Sequence, residues 1–226
     1  MSRFKNLQVG RQRFSKLFWE IVSDRDSVEW AEHEIESIIR DQEEHREKAS
    51  YKTGSIGYGD AEDLYLITRY FKPYNIAEVG TFIGTSTVTM RHGFSGCTIY
   101  TCDVSNKICV SPGDHEIKHY YKTPSHEMFK DLAFKGETMD MVYLDGRLSQ
   151  DDMEPLSKII HKDTVFVLDD FEGTEKGVAN AMLLSNLVHH LSDKQIVSTL
   201  IYPREGNKTA LIVPFHLIQF VNQEAS

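Results

Sequence analysis

The sequence is poor in the features that mark secreted, disulfide-bonded or membrane proteins. It has 3 cysteines among 226 residues, Cys97, Cys102 and Cys109, and no C-x-x-C pair. A chain of this length does not need disulfides, so we expect reduced thiols in a cytoplasmic protein. No run of 18 apolar residues occurs, and the basic start MSRFKNLQVGRQRF lacks a following apolar core. We therefore expect neither a membrane span nor a secretion signal, although a transit-like start stays open.

Positive charge is also scarce. The chain has 25 lysines and arginines against 34 aspartates and glutamates, a formal net charge of −9. A nucleic-acid-binding protein needs a basic surface that displaces counterions, so this balance argues against that class. The length and the 40% hydrophobic content are typical of one well-buried α/β domain with a modest extension.

Alternating apolar and helical segments indicate the fold. The apolar runs that predict parallel strands lie at 75–79, 98–102, 117–121, 141–144 and 164–168. Helices are predicted at 61–71, 85–91, 125–134, 151–160 and 175–190, and this alternation is typical of a parallel sheet. The last two runs, 195–203 and 209–214, are separated only by REGNK, which predicts an antiparallel hairpin. We expect an α/β, Rossmann-like sheet of five parallel strands plus a C-terminal antiparallel hairpin, with helices on both faces.

A helical leader precedes this domain. Residues 12–22 and 27–48 are predicted helices, and the second has an apolar stripe at helical spacing. The stripe consists of Trp30, Ala31, Ile35, Ile38 and Ile39. We therefore divide the chain into a helical extension at 1–53 and a main domain at 54–226. The extension could be a lid, an arm that forms a homodimer, or a layer that packs its stripe on the main domain.

A glycine turn follows the first predicted strand, in NIAEVGTFIGTSTVTM at 75–90. A dinucleotide motif G-x-G-x-x-G would need glycine where Phe82 stands, and a P-loop would need another spacing and a lysine. Both phosphate-binding interpretations are therefore disfavoured. The free N–H groups of the helix start at Thr85–Thr87 would still suit the carboxylate of an amino-acid ligand.

The segment AEVGTFIGTS resembles the E-x-G-x-x-x-G-x-S motif of class I S-adenosylmethionine (SAM)-dependent methyltransferases, particularly the small-molecule O-methyltransferases. The resemblance covers about residues 54–214 and implies the class I methyltransferase sheet with SAM as cofactor. It places the turn against the methionine part of SAM and Ser86 on its carboxylate. The cofactor residues implied here are Glu78, Gly80, Thr81, Phe82, Gly84 and Ser86. A capping or buried-pair role is the alternative for Glu78.

Three further residues follow from the same resemblance. Asp103 closes the next strand, where an acidic side chain can accept hydrogen bonds from both ribose hydroxyls; a loop-capping aspartate is the alternative. Ser125 occupies the family's adenine-contact position. His126 beside it could reach adenine, or could be an exposed residue at a helix start.

Acidic residues close the fourth and fifth predicted strands. Asp145 follows the fourth strand, and Asp169 and Asp170 follow the fifth, so they should converge where ligands of open α/β sheets bind. Carboxylates crowded in this way repel one another unless a cation is present, and oxygen ligands favour Mg²⁺ or another divalent ion. Asp169 and Asp170 can share an ion only if the chain turns between them. Alternatively, Asp145 contacts substrate or SAM while the other two cap a loop.

This acidic arrangement is similar to the metal site of catechol, caffeoyl-CoA and macrocin-type sugar O-methyltransferases. Asp170 stands where the first two families have asparagine, and Leu148 stands where a lysine or histidine acts as base. The resemblance implies metal-assisted transfer of a methyl group from SAM to a hydroxyl of a small molecule, a sugar or phenol. Asp145 and Arg147 are the catalytic candidates, Arg147 in an orienting or stabilising role.

The base and two other functions stay open at this stage. His115 or His119 could supply the base, or a metal-bound alkoxide could suffice. A metal-independent N- or carboxyl-methyltransferase is one alternative function. A non-catalytic protein that binds SAM or a partner is the other, motivated by the missing base and the charged leader.

Overall fold

One mixed β-sheet organises the molecule. The computed structural model describes residues 15–23, 25–48, 55–105, 115–190 and 198–219. The strands are β1 (Asn75–Val79), β2 (Thr98–Asp103), β3 (Ile117–Tyr121), β4 (Met139–Leu144), β5 (Ile160–Leu168), β6 (Ser198–Ile201) and β7 (Ala210–Pro214). Their order is β3-β2-β1-β4-β5-β7-β6. Strands β1 to β5 are parallel, whereas β7 is antiparallel to β5 and to β6. The predicted five parallel strands and C-terminal hairpin are confirmed.

Helices occur in the segments where the sequence predicted them. They are α1 (15–22), α2 (Arg25–Lys48), α3 (Tyr58–Phe71), α4 (Thr85–Gly93), α5 (Ser125–Lys135), α6 (Gln150–Ile159), α7 (Lys176–His190) and α8 (Phe215–Gln219). The short α8 was not predicted. The predicted helical residues 12–14, the strand residues 195–197 and Cys109 lie outside the described residues. Within the described part, no helix is long and apolar enough to cross a membrane.

The core has two layers because successive strand residues face opposite sides of the sheet. Ile76 of β1 and Tyr143 of β4 belong to the layer that packs against α3. Ala77 and Val142, one residue away on the same strands, belong to the layer that packs against α5 and α6. Near-continuous apolar strands are expected when helices cover both faces.

The described part of the leader packs on the main domain. Trp19 of α1, and Ala31 and Ile35 of α2, are buried in the same apolar layer as Leu64 of α3. Trp30, which the sequence placed in the apolar stripe, is instead 63% exposed. The lid, the dimer arm and the homodimer stay predictions.

The carboxyl ends of the central strands form one edge of the sheet. Val79 of β1 pairs in register with Cys102 of β2 and with Leu144 of β4, which itself pairs with Leu168 of β5. The loops that follow these strands therefore begin side by side. This edge is where an open parallel sheet binds ligands.

Candidate active site

The glycine turn after β1 lies between the ends of β2 and β4. Gly80 has φ +100°, and a Cβ atom on it would lie 3.1 Å from both the Asp145 carbonyl carbon and the Gly146 nitrogen. Its N–H donates to the carbonyl of Cys102 at 2.9 Å. Only glycine meets both the positive φ and the close backbone approach.

A pocket of about 430 Å³ opens beside this turn, within the usual range for small-molecule sites. The loops after β1, β2 and β4 contribute to its wall, and the start of α5 closes another side. The predicted cofactor residues that line it are Gly80, Phe82, Asp103, Ser125, His126 and Asp145. The structure therefore brings together most of the cofactor residues that the sequence nominated.

The Asp103 carboxylate accepts hydrogen bonds from two backbone N–H groups at the pocket. Its Oδ2 accepts a hydrogen bond from the Phe82 N–H at 2.9 Å, and its Oδ1 accepts one from the Ser105 N–H at 2.7 Å. Phe82 has φ +44°, a conformation that non-glycine residues rarely adopt without such support. Asp103 thus shapes the pocket wall, and its contact with a ribose stays a prediction.

Glu78 and Ser86 interact with each other beneath the turn. Fully buried Glu78 accepts hydrogen bonds from the hydroxyls of Ser86 at 2.6 Å and Thr87 at 2.5 Å. Burial raises the pKa of Glu78 to about 7, although these hydroxyls favour the ionised form. These hydrogen bonds match the alternative in which Glu78 belongs to a buried pair within the protein. Four predicted residues are not among those that line the pocket: Glu78, Thr81, Gly84 and Ser86.

Three carboxylates converge where β4 and β5 end. One oxygen each of Asp145, Asp169 and Asp170 lies within 4.8 Å of the others. The chain turns between the last two residues, because Asp170 has φ +49°. The turn that the sequence required for a shared cation is therefore present.

Lys176 places its ammonium among these carboxylates. Its Nζ lies 2.9 Å from Asp170 Oδ2 and 3.4 Å from Asp169 Oδ2, and it also contacts Asp145 Oδ1. Its side chain is 19% exposed. Lys176 was not predicted as a site residue, because a lysine at a helix start has no motif of its own.

Two neighbours in α7 hold Lys176 in position. A Cβ on Gly177 would lie 2.8 Å from the Phe171 nitrogen and 2.9 Å from the Asp170 carbonyl carbon, so glycine lets the helix start press against the turn after β5. Fully buried Asn180 accepts a hydrogen bond from the Leu148 N–H at 2.9 Å. Its amide nitrogen donates to the Gly146 carbonyl at 2.9 Å.

The charges of the cluster depend on one another. Burial, together with the negative charge of Asp169, raises the pKa of Asp145 well above its ordinary value. Burial also raises the pKa of Asp169. Burial alone would lower the pKa of Lys176, but the Asp145 carboxylate and its neighbours raise it overall. The ammonium therefore stays charged at neutral pH.

A divalent ion would compete with this ammonium for the same place. Mg²⁺ needs carboxylate oxygens at about 2.0–2.1 Å and Ca²⁺ at about 2.3–2.6 Å, around a centre of their own. The donor set has the right chemistry for such an ion. With Nζ at 2.9 and 3.4 Å from two of the three carboxylates, however, the arrangement fits an ammonium. It would fit a metal ion only after Lys176 moved away.

Arg147, Leu148 at the family's base position, and the two histidines considered as bases lie in different places. Arg147 lines the pocket, with its side chain 66% exposed and 4.0 Å from Glu175. The Leu148 side chain is buried in the apolar layer. His119 lies on β3, three strands from β4 and therefore about 14 Å away. His115 precedes β3, at the opposite edge of the sheet from the carboxylates.

Asp152 is a second residue that the sequence did not nominate. It lines the pocket and is 1% exposed. Its Oδ2 accepts hydrogen bonds from the N–H and the hydroxyl of Ser149, forming a capping box at the start of α6. Its Oδ1 is buried without a hydrogen-bond partner in the structure. A buried acceptor without a partner favours the binding of a ligand that can donate an N–H hydrogen bond to it.

The fold is shared with solved methyltransferase structures. No protein-family model matches the chain, and no curated protein gives a significant sequence match. An O-methyltransferase from Bacillus cereus in complex with S-adenosylhomocysteine (SAH) is 16% identical, with a TM-score of 0.57 over 88% of this chain and 96% of that one. The O-methyltransferase TomG from Streptomyces achromogenes, in complex with SAM, is 15% identical, with a TM-score of 0.55 over 78% and 89%. The SAH-bound Podospora anserina methyltransferase PaMTH1 is 12% identical, with a TM-score of 0.51 over 84% and 96%. The chain therefore has the Rossmann-like fold of the class I methyltransferases.

Proposed function

We propose that this protein is a SAM-dependent methyltransferase that methylates a hydroxyl group of a small molecule, a sugar or phenol. One observation carries the proposal: Asp145 and Lys176 both line the pocket and both belong to the acidic cluster. A ligand in the pocket would therefore have one end at the carboxylates. Similar folds with bound SAM and SAH support the choice of cofactor.

Different residues of the pocket would bind different parts of SAM. Gly80 lets the loop after β4 approach the turn that lines the pocket. Asp103 holds the part of the wall that Phe82 belongs to. Ser125 and His126, at the start of α5, would contact the adenine. SAM, when bound, supplies an electrophilic methyl group and leaves as SAH.

The carboxylates would act on the acceptor. As the oxygen–carbon bond forms and the carbon–sulfur bond breaks, the hydroxyl must lose its proton. Asp170, the most exposed of the three carboxylates with 35% of its side chain accessible, would accept a hydrogen bond from the acceptor hydroxyl and then its proton. Arg147, at the pocket rim, would orient the acceptor. Most of the rate enhancement would come from alignment of the two reactants.

Metal assistance, expected from the sequence, is a second form of the proposal. The three carboxylate oxygens within 4.8 Å of one another favour it. In this form Asp145, Asp169 and Asp170 would hold a divalent cation, which would lower the pKa of the acceptor hydroxyl. It requires Lys176 to leave the cluster.

Calorimetric titration with SAH tests the proposal most directly. We expect one SAH per chain, and an Asp103→Asn variant should bind it roughly tenfold more weakly, as expected for loss of a hydrogen bond to a charged group. Asp131→Asn, on the outer face of α5 and away from the pocket lining, is the matched control and should bind like the wild type. No SAH binding at millimolar concentration would end the proposal.

Turnover separates the remaining alternatives. Purified protein with SAM and a panel of sugars, phenols, amines and carboxylic acids should yield SAH and a methylated hydroxyl compound. Methylation of nitrogen or a carboxylate would favour the other enzyme class. SAH binding without turnover across the whole panel would favour a non-catalytic protein.

A further inference from the structure

We propose that Lys176 is the resident cation of the acidic cluster, a positioning residue that holds the three carboxylates in place of a divalent metal ion. The contacts of its ammonium group point to this role. A lysine ammonium has three donors and no acceptor. Nζ of Lys176 contacts one carboxylate oxygen from each of Asp145, Asp169 and Asp170. The ammonium donates a hydrogen bond to Asp145 and forms ion pairs with Asp169 and Asp170, so one cation is shared by three carboxylates.

Local helix physics alone would not put a lysine at this position. Lys176 is the first residue of α7, whose first turn contains no acidic residue. Positive charge at a helix N-terminus is opposed by the helix dipole and by the free N–H groups there. The carboxylates across the loop must supply the compensation, so tertiary contacts explain the placement of this residue.

The surrounding contacts fix the position of the ammonium. Gly177 allows α7 to begin in contact with the turn at Asp170, and Asn180, four residues after Lys176, joins the same helix face to the loop after β4. The stem of Lys176 thus begins between the two loops that bear the carboxylates. Withdrawal of the side chain would leave Asp145 and Asp169, each with only 9% of its side chain exposed, without this positive charge.

The arrangement has a consequence for the proposed reaction. Because its ammonium is already paired with the three carboxylates, Lys176 would neutralise and position them rather than polarise an acceptor oxygen as a metal ion would. Lys176 would hold Asp145, which lines the pocket, in a fixed position relative to the bound ligand. This consequence rests on the proposed function, whereas the cation role itself does not.

Manganese binding tests the proposal without any need for turnover. The full-length chain is freed of metal with EDTA and titrated with Mn²⁺, using calorimetry and the electron paramagnetic resonance signal of the bound ion. We expect no saturable binding to the wild type below ~1 mM, which corresponds to a binding free energy no more favourable than about −4 kcal/mol. Lys176→Met keeps the length of the stem and removes the charge, so it should bind one Mn²⁺ at least about tenfold more tightly.

Two further variants make the test specific. Lys176→Arg retains the charge and should resist Mn²⁺ as the wild type does, which a merely structural role for the side chain does not predict. Lys176→Met/Asp169→Asn should lose the gained site, because one ligand oxygen is replaced. Thermal unfolding of each variant checks that it is folded.

Two results would overturn the proposal. One is binding of a single Mn²⁺ to the wild type at micromolar concentration that is absent in the Asp169→Asn variant. Metal would then displace the lysine from the cluster. This measurement needs no lysine variant, so it stands even if Lys176→Met does not fold. The other is a folded Lys176→Met that binds Mn²⁺ no better than the wild type. SAH titration of the same proteins reports separately on the proposed function.

Discussion

Replacing Glu78 with glutamine should change how the stability of the fold depends on pH. Glu78 is fully buried, and burial raises the pKa of its carboxyl group from an ordinary 4.5 to about 7. Below pH 4.5 the group is protonated in both the folded and the unfolded chain. Between 4.5 and 7 the unfolded chain loses this proton first, so the free energy of unfolding falls as the pH rises. Above about pH 7 the group is ionised in both states, and its titration lowers the free energy of unfolding no further.

The pKa values set the size of the effect. A difference between 4.5 and about 7, at 1.36 kcal/mol for each pH unit, corresponds to about 3 kcal/mol. Glutamine does not titrate, and its amide oxygen and nitrogen can still pair with the hydroxyls of Ser86 and Thr87. The Glu78→Gln variant should therefore gain roughly 2–3 kcal/mol relative to the wild type between pH 5 and pH 8.

Urea denaturation at pH 5, 6, 7 and 8 measures this difference, and the contributions of all other titrating groups cancel between the two proteins. Glu154→Gln, at an exposed site on α6, serves as control and should show no such gain. A constant difference between Glu78→Gln and the wild type across this range would refute the reasoning. Should the variant instead bind SAH tenfold more weakly at every pH, Glu78 would contact the cofactor, as the sequence resemblance implied.

Three further substitutions test the architecture of the site. Asn180→Ala leaves the N–H of Leu148 and the carbonyl of Gly146 without their partner, so we expect a loss of about 2–3 kcal/mol in urea denaturation. Gly177→Ala forces a backbone shift at the start of α7, and it should lower stability by about 1–3 kcal/mol and reduce turnover; unchanged turnover would show that this helix start is not part of the site. Asp152→Asn should weaken SAH binding roughly tenfold if the unpaired oxygen accepts the adenine amino group. S-inosylhomocysteine, which lacks that amino group, should then bind the wild type and the variant equally.

The sheet could be predicted because short stretches of sequence determine where each strand lies and how neighbouring strands are connected. Strands such as β1 and β2 are short apolar runs, and the five-residue connection REGNK admits only an antiparallel hairpin. The convergence of Asp145 with Asp169 also followed from topology, since carboxyl ends of parallel strands meet at one edge. Which face of α2 is buried depends on distant partners, and Trp30 was accordingly assigned to the wrong side.

The cluster's cation could not be found by local rules, because they argue against it. Acidic residues are favoured at helix starts, and the sequence EKGV around Lys176 matches no functional motif, so nothing in the sequence marks this lysine as a site residue. Only the turn at Asp170 and the absence of a Cβ at Gly177 bring Lys176 within reach of three carboxylates from two different strands. Crowded carboxylates need a positive charge, and from the sequence alone a divalent ion from solution was the expected source of that charge. The same electrostatic requirement can be met from within the chain, so an acidic cluster implies a metal only when no lysine or arginine can enter it.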